Sequence, residues 1–107
     1  MPEFTYSVIV PIKNEESNIT PQIEEIVAAM GPLGEPYEII YVDDGSTDDS
    51  WNVLLQGRKR FPQLHLLRFD RNHGQSAATD AGIRHARGQI LITLDGDRQN
   101  VPADIPN

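Results

Sequence analysis

The chain has 107 residues, a formal net charge of −7 and no cysteine. Its length predicts one domain with a single hydrophobic core. The lack of cysteine excludes disulfides, thiolate nucleophiles and thiolate metal sites. The acidic balance argues against a nucleic-acid partner, and it disfavours an anionic ligand unless a cation mediates. No apolar run approaches the roughly 20 residues of a membrane-spanning helix, and the N-terminus lacks a signal-peptide pattern, so we expect this piece to be soluble.

Four apolar runs rich in β-branched residues are typical of strands buried on both faces. They predict strands over residues 7–11, 38–42, 64–69 and 89–94. A helix is predicted between the first two strands, with Thr20 as its cap and Pro21 in its first turn. An apolar stripe at helical spacing follows, and Gly31 ends the helix.

Two further helices are predicted between the later strands. Ser46 or Thr47 caps the second helix, which places the acidic residues 48–49 in its first turn, where the helix dipole favours negative charge. Trp51 in this helix is interpreted as a core residue. The third helix, over residues 75–87, has small residues on its inward side, which predicts close packing on the sheet.

Strands joined by right-handed helical crossovers form a parallel, doubly wound α/β sheet of Rossmann-like type, most commonly in the order 3-2-1-4. This order brings together the loop over residues 12–16, the pair Asp43 and Asp44, and the acidic segment 95–97. Two acidic clusters facing one crevice repel each other without a counter-ion. Hard oxygen ligands suit Mg²⁺ or Mn²⁺. The sequence therefore suggests a site for a divalent cation and a diphosphate.

Simpler interpretations of the same residues stay open. Asp43 and Asp44 can be ordinary turn residues, because turns select aspartate and glycine for local reasons. His73 lies in a polar turn and His85 on a predicted helix flank, so both are interpreted as surface residues. No general base is assigned among these residues.

Four segments in order carry a resemblance to a known family: 8–15 (VIVPIKNE), 38–48 (EIIYVDDGSTD), 71–75 (RNHGQ) and 94–100 (LDGDRQN). Together they resemble the family-2 inverting glycosyltransferases, and most closely the polyprenyl-phosphate and dolichyl-phosphate sugar transferases. The resemblance covers nearly the whole chain. It implies a GT-A fold, a UDP- or GDP-linked sugar donor, a divalent cation, and a polyprenyl phosphate as acceptor. It also implies a cytoplasmic location, with membrane association of the full-length protein.

The resemblance also implies roles for individual residues. Positions that match the family's nucleotide-sugar contacts are Pro11, Lys13, Glu15, Val42, Asp43, Asp44, Gly74, Asp95 and Gly96. Positions that match its Asp-x-Asp-x-Gln motif, which holds the metal and diphosphate, are Asp95, Asp97 and Gln99. The family usually has an aromatic residue at position 13, so Lys13 is expected to alter contact with the base or to meet a phosphate. Arg98 and Val101 also depart from the commonest residues.

Family members continue beyond the Asp-x-Asp loop into an acceptor-binding half. We therefore expect residues 1–107 to be the donor-binding N-terminal part of such a domain, inactive in transfer without the half that binds a lipid-phosphate or glycan acceptor. The strand over residues 89–94 would then lie at a sheet edge and favour self-association. Two alternatives remain: a non-catalytic module that binds metal and nucleoside diphosphate, and another metal-dependent phosphate-transfer enzyme.

Overall fold

A computed structural model describes residues 4–95, which form a four-stranded parallel sheet with helices on both faces. The strands are β1 (Phe4–Ile12), β2 (Tyr37–Asp43), β3 (Leu64–Arg68) and β4 (Gly88–Thr93). The helices are α1 (Glu16–Met30), α2 (Ser50–Arg60) and α3 (Gln75–His85), and a short 3₁₀ helix, Gly31–Leu33, follows α1. The spatial order β3-β2-β1-β4 confirms the predicted 3-2-1-4 sheet.

Strand pairing aligns the carboxyl ends of the three strands that carry the predicted site. Ile12 pairs with Asp43, and Ile9 pairs with Thr93. The pairing continues beyond β2 and β4, because the Asp44 N–H donates to the Ile12 carbonyl and the Leu94 N–H to the Ile9 carbonyl. The residues after β1, β2 and β4 therefore lie together at the carboxyl end of the sheet.

The two faces of the sheet are packed differently. Helices α1 and α2 cover one face with a large apolar cluster, whereas α3 covers the other with a small one around Ile9, Ile40, Val42 and Ala78. At Gly82 of α3, an added Cβ would lie 2.5 Å from the Ile9 side chain. This close approach confirms that the small residues of α3 let it sit tightly on the sheet.

The predicted start of the first helix is wrong. The helix α1 begins at Glu16, not at Thr20, and Pro21 lies inside it. Asp48 of the β2–α2 loop and Ser50 at the start of α2 accept the backbone N–H groups of Glu16 and Glu15, so tertiary contacts take the place of the predicted cap. Proline is tolerated because the carbonyl that loses its partner belongs to Ser17, an exposed residue. The predicted end at Gly31 is correct.

The predicted start of the second helix is also wrong. Helix α2 begins at Ser50, so Ser46 and Thr47 lie in the preceding loop and Asp48 lies outside the first turn. Both Ser46 and Thr47 bond to Asn14 of the neighbouring loop, which draws them away from a capping position. Trp51 packs against the larger cluster, as predicted for a core residue.

The third helix ends at His85, two residues before its predicted end, because the chain turns there into β4. Gly88 begins β4, where an added Cβ would lie 2.5 Å from the Ser7 hydroxyl. His73 and His85 are both exposed, as predicted. Within residues 4–95, no helix is long and apolar enough to cross a membrane.

Candidate functional site

The loops after β1 and β2 are tied to each other by hydrogen bonds. Asn14 adopts a left-handed conformation (φ 54°), which asparagine tolerates better than most residues. Its N–H donates to the Ser46 hydroxyl at 2.9 Å, and its Oδ1 accepts the Thr47 N–H at 2.8 Å. The Glu15 N–H donates to the Ser50 hydroxyl at 3.1 Å. These bonds fix the two loops as one unit beside the sheet edge.

Asp48 is a second tie between the same two loops. Its carboxylate accepts the N–H and hydroxyl of Ser50 and, at 3.4 Å, the Glu16 N–H. Desolvation alone would raise the pKa of Asp48, but the hydrogen bonds from Ser50 and Glu16 outweigh it and lower the pKa below its ordinary value. Asp48 therefore supports the loops as an ionised group.

Asp43 lies completely buried at the end of β2. Its Oδ1 accepts the Ser46 N–H at 2.9 Å, which anchors the β2–α2 loop from below. Its Oδ2 has no hydrogen-bond partner among the described residues. Because its side chain is enclosed, Asp43 supports the loop and does not offer its carboxylate to a ligand in this arrangement.

Asp44 holds the segment between β3 and α3. It is only 4% exposed, and its two carboxylate oxygens accept the N–H groups of His73 at 2.7 Å and Gly74 at 3.0 Å. Gly74 has φ 98°, a conformation that favours glycine, and it immediately precedes α3. The acid after β2 therefore positions the start of α3.

Gly45 lets the same segment approach β2 closely. Its φ is 71°, and an added Cβ would lie 2.4 Å from the carbonyl carbon of Arg71 and 2.5 Å from the Asn72 nitrogen. Backbone thus packs on backbone at this position. A glycine is required here both by conformation and by space.

Asp95 follows β4 and is held from two sides. Its Oδ1 accepts the side-chain amide of Gln75, the first residue of α3, at 3.0 Å. Its carbonyl accepts the Gln22 side-chain amide at 2.8 Å. Gln22 in turn accepts the Tyr41 hydroxyl, and burial raises the pKa of Tyr41 well above its ordinary value. Asp95 is therefore oriented through both its main chain and its carboxylate.

A cavity of about 630 Å³ opens beside these loops. Residues from the loop after β1, the β2–α2 loop and the segment after β3 line it: Lys13, Gly45, Ser46, Thr47, Arg68, Phe69, Asp70, Arg71 and Asn72. Three of these residues are cationic and one is anionic, in a chain whose net charge is −7. The guanidinium of Arg68 also lies 5.1 Å from the centre of the Trp51 ring. The excess of positive charge in its lining suits an anionic ligand.

The predicted site residues are not equally accessible. Pro11 and Val42 are buried in the sheet, so their side chains are closed to a ligand in this arrangement. Lys13 is exposed at the cavity, and half-buried Glu15 accepts the side-chain amide of Asn18 at 2.7 Å. Predictions that fall outside the described residues concern Gly96, Asp97 and Gln99.

Residues 4–95 contain one residue of the predicted cation site. That range contains no group of three or more histidine, cysteine, aspartate or glutamate side chains able to hold a metal ion. It does contain Asp95, whose half-buried carboxylate offers the hard oxygen that Mg²⁺ and Mn²⁺ prefer. Asp95 is one of the three residues predicted to bind the cation, and the other two, Asp97 and Gln99, lie outside the described range.

Sequence reasoning missed the residues that fasten the loops. Asn14 and Ser50 had no predicted contact, and Gln22 lies on the helix where only the apolar stripe was considered. A polar residue inside an apolar helical stripe is a usable signal, since a buried amide needs partners. The tie between Asn14 and Ser46 gives no such signal, because it joins residues 32 positions apart.

Comparisons with known proteins show which proteins the chain is similar to. A family model described as glycosyl transferase family 2 matches residues 7–107. A dodecaprenyl-phosphate galacturonate synthase of Rhizobium johnstonii is 45% identical over 105 residues, covering 94% of this chain and 30% of that protein. An undecaprenyl-phosphate 4-deoxy-4-formamido-L-arabinose transferase of Pectobacterium carotovorum is 43% identical over 102 residues, covering 94% and 31%. The chain thus spans about a third of the length of these relatives.

Solved structures show the same architecture. The mannosyltransferase PcManGT from Pyrobaculum calidifontis, in complex with GDP-Man and Mn²⁺, matches with a TM-score of 0.79 and 28% identity, over 88% of this chain and 28% of that one. TarS of S. aureus, in complex with UDP-GlcNAc, matches with a TM-score of 0.76 and 28% identity, over 87% and 26%. These matches confirm the GT-A fold that the sequence motifs imply.

Proposed function

The chain belongs to glycosyl transferase family 2, and from that premise we propose that it carries the donor- and cation-binding part of an inverting sugar transferase. The donor is a UDP- or GDP-linked sugar, and the acceptor is a polyprenyl phosphate. The acceptor class follows from the names of the relatives, which are polyprenyl-phosphate sugar transferases. One observation carries the proposal: the acid after β2 bonds to Gly74, just before α3, and the acid after β4 bonds to Gln75, the first residue of α3, beside a cationic cavity.

The cavity is proposed to hold the nucleoside end of the donor. Lys13 lies in the loop after β1 and Arg71 in the segment after β3, and hydrogen bonds to Ser46 and Asp44 connect this loop and this segment to the residues that follow β2. The main chain at Pro11 and Val42 and the side chains of Glu15, Asp43 and Asp44 are proposed to shape this pocket. A preformed rim lowers the ordering cost of binding.

The cation is proposed to bind Asp95, Asp97 and Gln99, with Gly96 leaving the main chain open to the donor's diphosphate. When bound, a divalent cation supplies positive charge that stabilises the departing nucleoside diphosphate. Of this chain's own residues, Gln75 orients the Asp95 carboxylate and Asp44 fixes the backbone that carries Gln75. The acceptor phosphate is already anionic, so this proposal assigns no general base to residues 4–95. A lipid acceptor also places the whole enzyme at a membrane.

Two other functions differ from this one in what they would bind. A non-catalytic module would bind the same donor and cation but would support no transfer in the complete protein. Another phosphate-transfer enzyme would prefer a different phosphorylated ligand. The family membership and the sugar-nucleotide ligands of the solved relatives favour the transferase.

Thermal unfolding of the chain with Mn²⁺ or Mg²⁺ and with UDP or GDP tests the donor site. Ligands that bind only the native state stabilise it by about 2.7 kcal/mol at 100 times their dissociation constant, which corresponds to roughly 10 °C for a chain of this size. We expect the nucleotide and cation together to exceed the sum of their separate shifts. CDP and ADP serve as controls for the base.

Asp95→Asn should remove the cation-dependent part of this shift. Asp80→Asn is the matched control, because it makes the same charge change on an exposed residue of α3 that pairs with Arg84. A folded chain that shows no shift with any combination of nucleotide and cation would contradict the proposed function.

We also propose that this part of the chain self-associates through β4. β4 lies at an edge of the sheet formed by residues 4–95, and Ile90 and Leu91 are 48% and 43% exposed. An uncharged edge strand of this kind can pair with another chain. Light scattering over a concentration series should show dimers that Leu91→Lys reduces, whereas a monomer at all concentrations would contradict the proposal.

A further inference from the structure

Two fully buried polar side chains cross the larger apolar cluster. Tyr41 lies in the middle of β2 and Gln22 lies on α1, and neither is exposed. The Tyr41 hydroxyl donates to Gln22 Oε1 at 2.8 Å. Phenylalanine and methionine would fill similar volumes without burying polar groups, and burying them has a free-energy cost unless they are bonded. The core therefore gains no packing advantage from this polar pair.

The bond that leaves the cluster goes to Asp95. Gln22 Nε2 donates to the Asp95 carbonyl at 2.8 Å. The Asp95 carboxylate is held by Gln75 of α3, and α1 and α3 lie on opposite faces of the sheet. The Asp95 carbonyl is therefore bonded to α1 and its carboxylate to α3, which fixes the direction of both groups.

We propose that Gln22 is a positioning residue for Asp95, with Tyr41 fixing the Gln22 amide so that its NH₂ group faces the Asp95 carbonyl. The proposal rests on the proposed function, in which Asp95 contributes to the cation site. A glutamine amide can turn over and present oxygen where nitrogen is needed. The Tyr41 hydroxyl prevents this, because it needs an acceptor and so selects the Oε1 end.

A titration of the chain with Mn²⁺ in the presence of UDP or GDP tests this role. Binding is measured by the loss of the electron paramagnetic resonance signal of the free ion. Residues that orient metal ligands typically contribute 10- to 100-fold to metal affinity. We expect Gln22→Met to weaken Mn²⁺ binding by about tenfold.

A double variant separates positioning from stability. Tyr41→Phe with Gln22→Met removes both polar partners from the cluster, so its stability should be close to that of the natural chain. Its Mn²⁺ affinity should nevertheless stay about tenfold reduced. Ile23→Val is the matched control. Ile23 is the buried neighbour of Gln22 in α1 and belongs to the larger cluster, so its substitution should lower stability. It should leave the Mn²⁺ affinity unchanged.

A metal-free measurement gives a second readout. Nuclear magnetic resonance should show a Gln22 side-chain amide proton protected from exchange, and an Asp95 carbonyl carbon shift that changes in Gln22→Met. The inference is overturned if Gln22→Met or the double variant binds Mn²⁺ as tightly as the natural chain. If the natural chain itself binds no Mn²⁺ with either nucleotide, the proposed function fails and this inference fails with it.

Discussion

The acidic ends of β2 and β4 differ in what surrounds their carboxylates. After β2, Asp43 and Asp44 are almost completely buried, and one oxygen of Asp43 and both oxygens of Asp44 accept backbone N–H groups. After β4, Asp95 is half-buried, and its carboxylate accepts the side-chain amide of Gln75. One end is enclosed by the fold and the other faces outwards.

This difference separates two tasks that look alike in the sequence. The carboxylates after β2 accept hydrogen bonds from the loops around the cavity, so they organise those loops. The carboxylate after β4 is the one that we propose as a cation ligand, and Asp95 is held by Gln22 and Gln75, which lie on helices on opposite faces of the sheet. A binding site of this kind needs both, because a rigid rim reduces the cost of ordering when the ligand arrives.

Gly45→Ala should have the largest effect on the enclosed end. A non-glycine residue in the left-handed region costs about 1–2 kcal/mol, and a Cβ against the backbone of Arg71 and Asn72 adds about 1–3 kcal/mol of overpacking. We expect the free energy of unfolding, measured by urea denaturation, to fall by about 2–5 kcal/mol in total.

Gly34→Ala is the control that isolates the conformational part. Gly34 has the same φ of 71° as Gly45, but an added Cβ there meets nothing within 4 Å. We therefore expect a loss of about 1–2 kcal/mol for Gly34→Ala. Equal losses in the two variants would mean that the close approach at Gly45 is not a constraint on this end of the sheet.

The paired substitutions Asp44→Asn and Asp95→Asn test the comparison itself. Asparagine offers one acceptor oxygen where two N–H groups need partners, so Asp44→Asn should destabilise the chain by about 1–3 kcal/mol. Asp95→Asn should change stability by less than about 0.5 kcal/mol, because its carboxylate is more open to solvent.

Asp44→Asn should lose more stability than Asp95→Asn, but Asp95→Asn should lose more of its cation binding. Mn²⁺ stabilisation should persist in Asp44→Asn at a temperature where the variant is folded, and it should be lost in Asp95→Asn. If both variants lost stability and cation binding to the same extent, the division between an enclosed end and a cation-facing end would be wrong.

Much of the fold was predictable because short apolar segments of the sequence indicate buried strands. The β-branched runs of β1, β2 and β4, with helical crossovers between strands, predicted a parallel doubly wound sheet, and the structure confirms that it has the commonest strand order of such sheets. The acids after β2 and β4 were predictable as neighbours for the same reason: parallel strands bring their carboxyl ends to one edge.

The start of α3 at Gln75 agrees with the prediction, but the starts of α1 and α2 were not predictable, because they depend on contacts between distant loops. Thr20 is a good cap by local rules, but the N–H groups of Glu15 and Glu16 donate to Ser50 and Asp48 and start α1 earlier. Ser46 is also a good cap by local rules, but its hydroxyl accepts the Asn14 N–H.

The difference in burial between Asp44 and Asp95 was not predictable for a similar reason. It depends on which carboxylate the backbone of His73 and Gly74 reaches, and local sequence does not specify that.

The smallest expected effect concerns Asp48, which ties the enclosed end to α1. Its pKa is lowered in the folded chain by hydrogen bonds from Ser50 and Glu16, in spite of desolvation. A carboxyl group with a lowered folded pKa adds stability that is fully present above its unfolded pKa, about 4, and is lost as the pH falls through the folded value. Asp48→Asn should therefore be less stable than the natural chain near pH 7.

The difference between the two chains should shrink as the pH falls below about 4. Urea denaturation from pH 7 to pH 2.5 measures this convergence, and a carbon-detected titration of the Asp48 carboxyl measures its pKa directly. Ser50→Ala removes the hydroxyl donor to Asp48 and should move that pKa back towards its ordinary value. If the natural chain and Asp48→Asn lost stability in parallel across this range, the Asp48 hydrogen bonds would not be coupled to folding. The hydrogen bonds of Asp43, Asp44 and Asn14 would then hold the enclosed end without a contribution from Asp48.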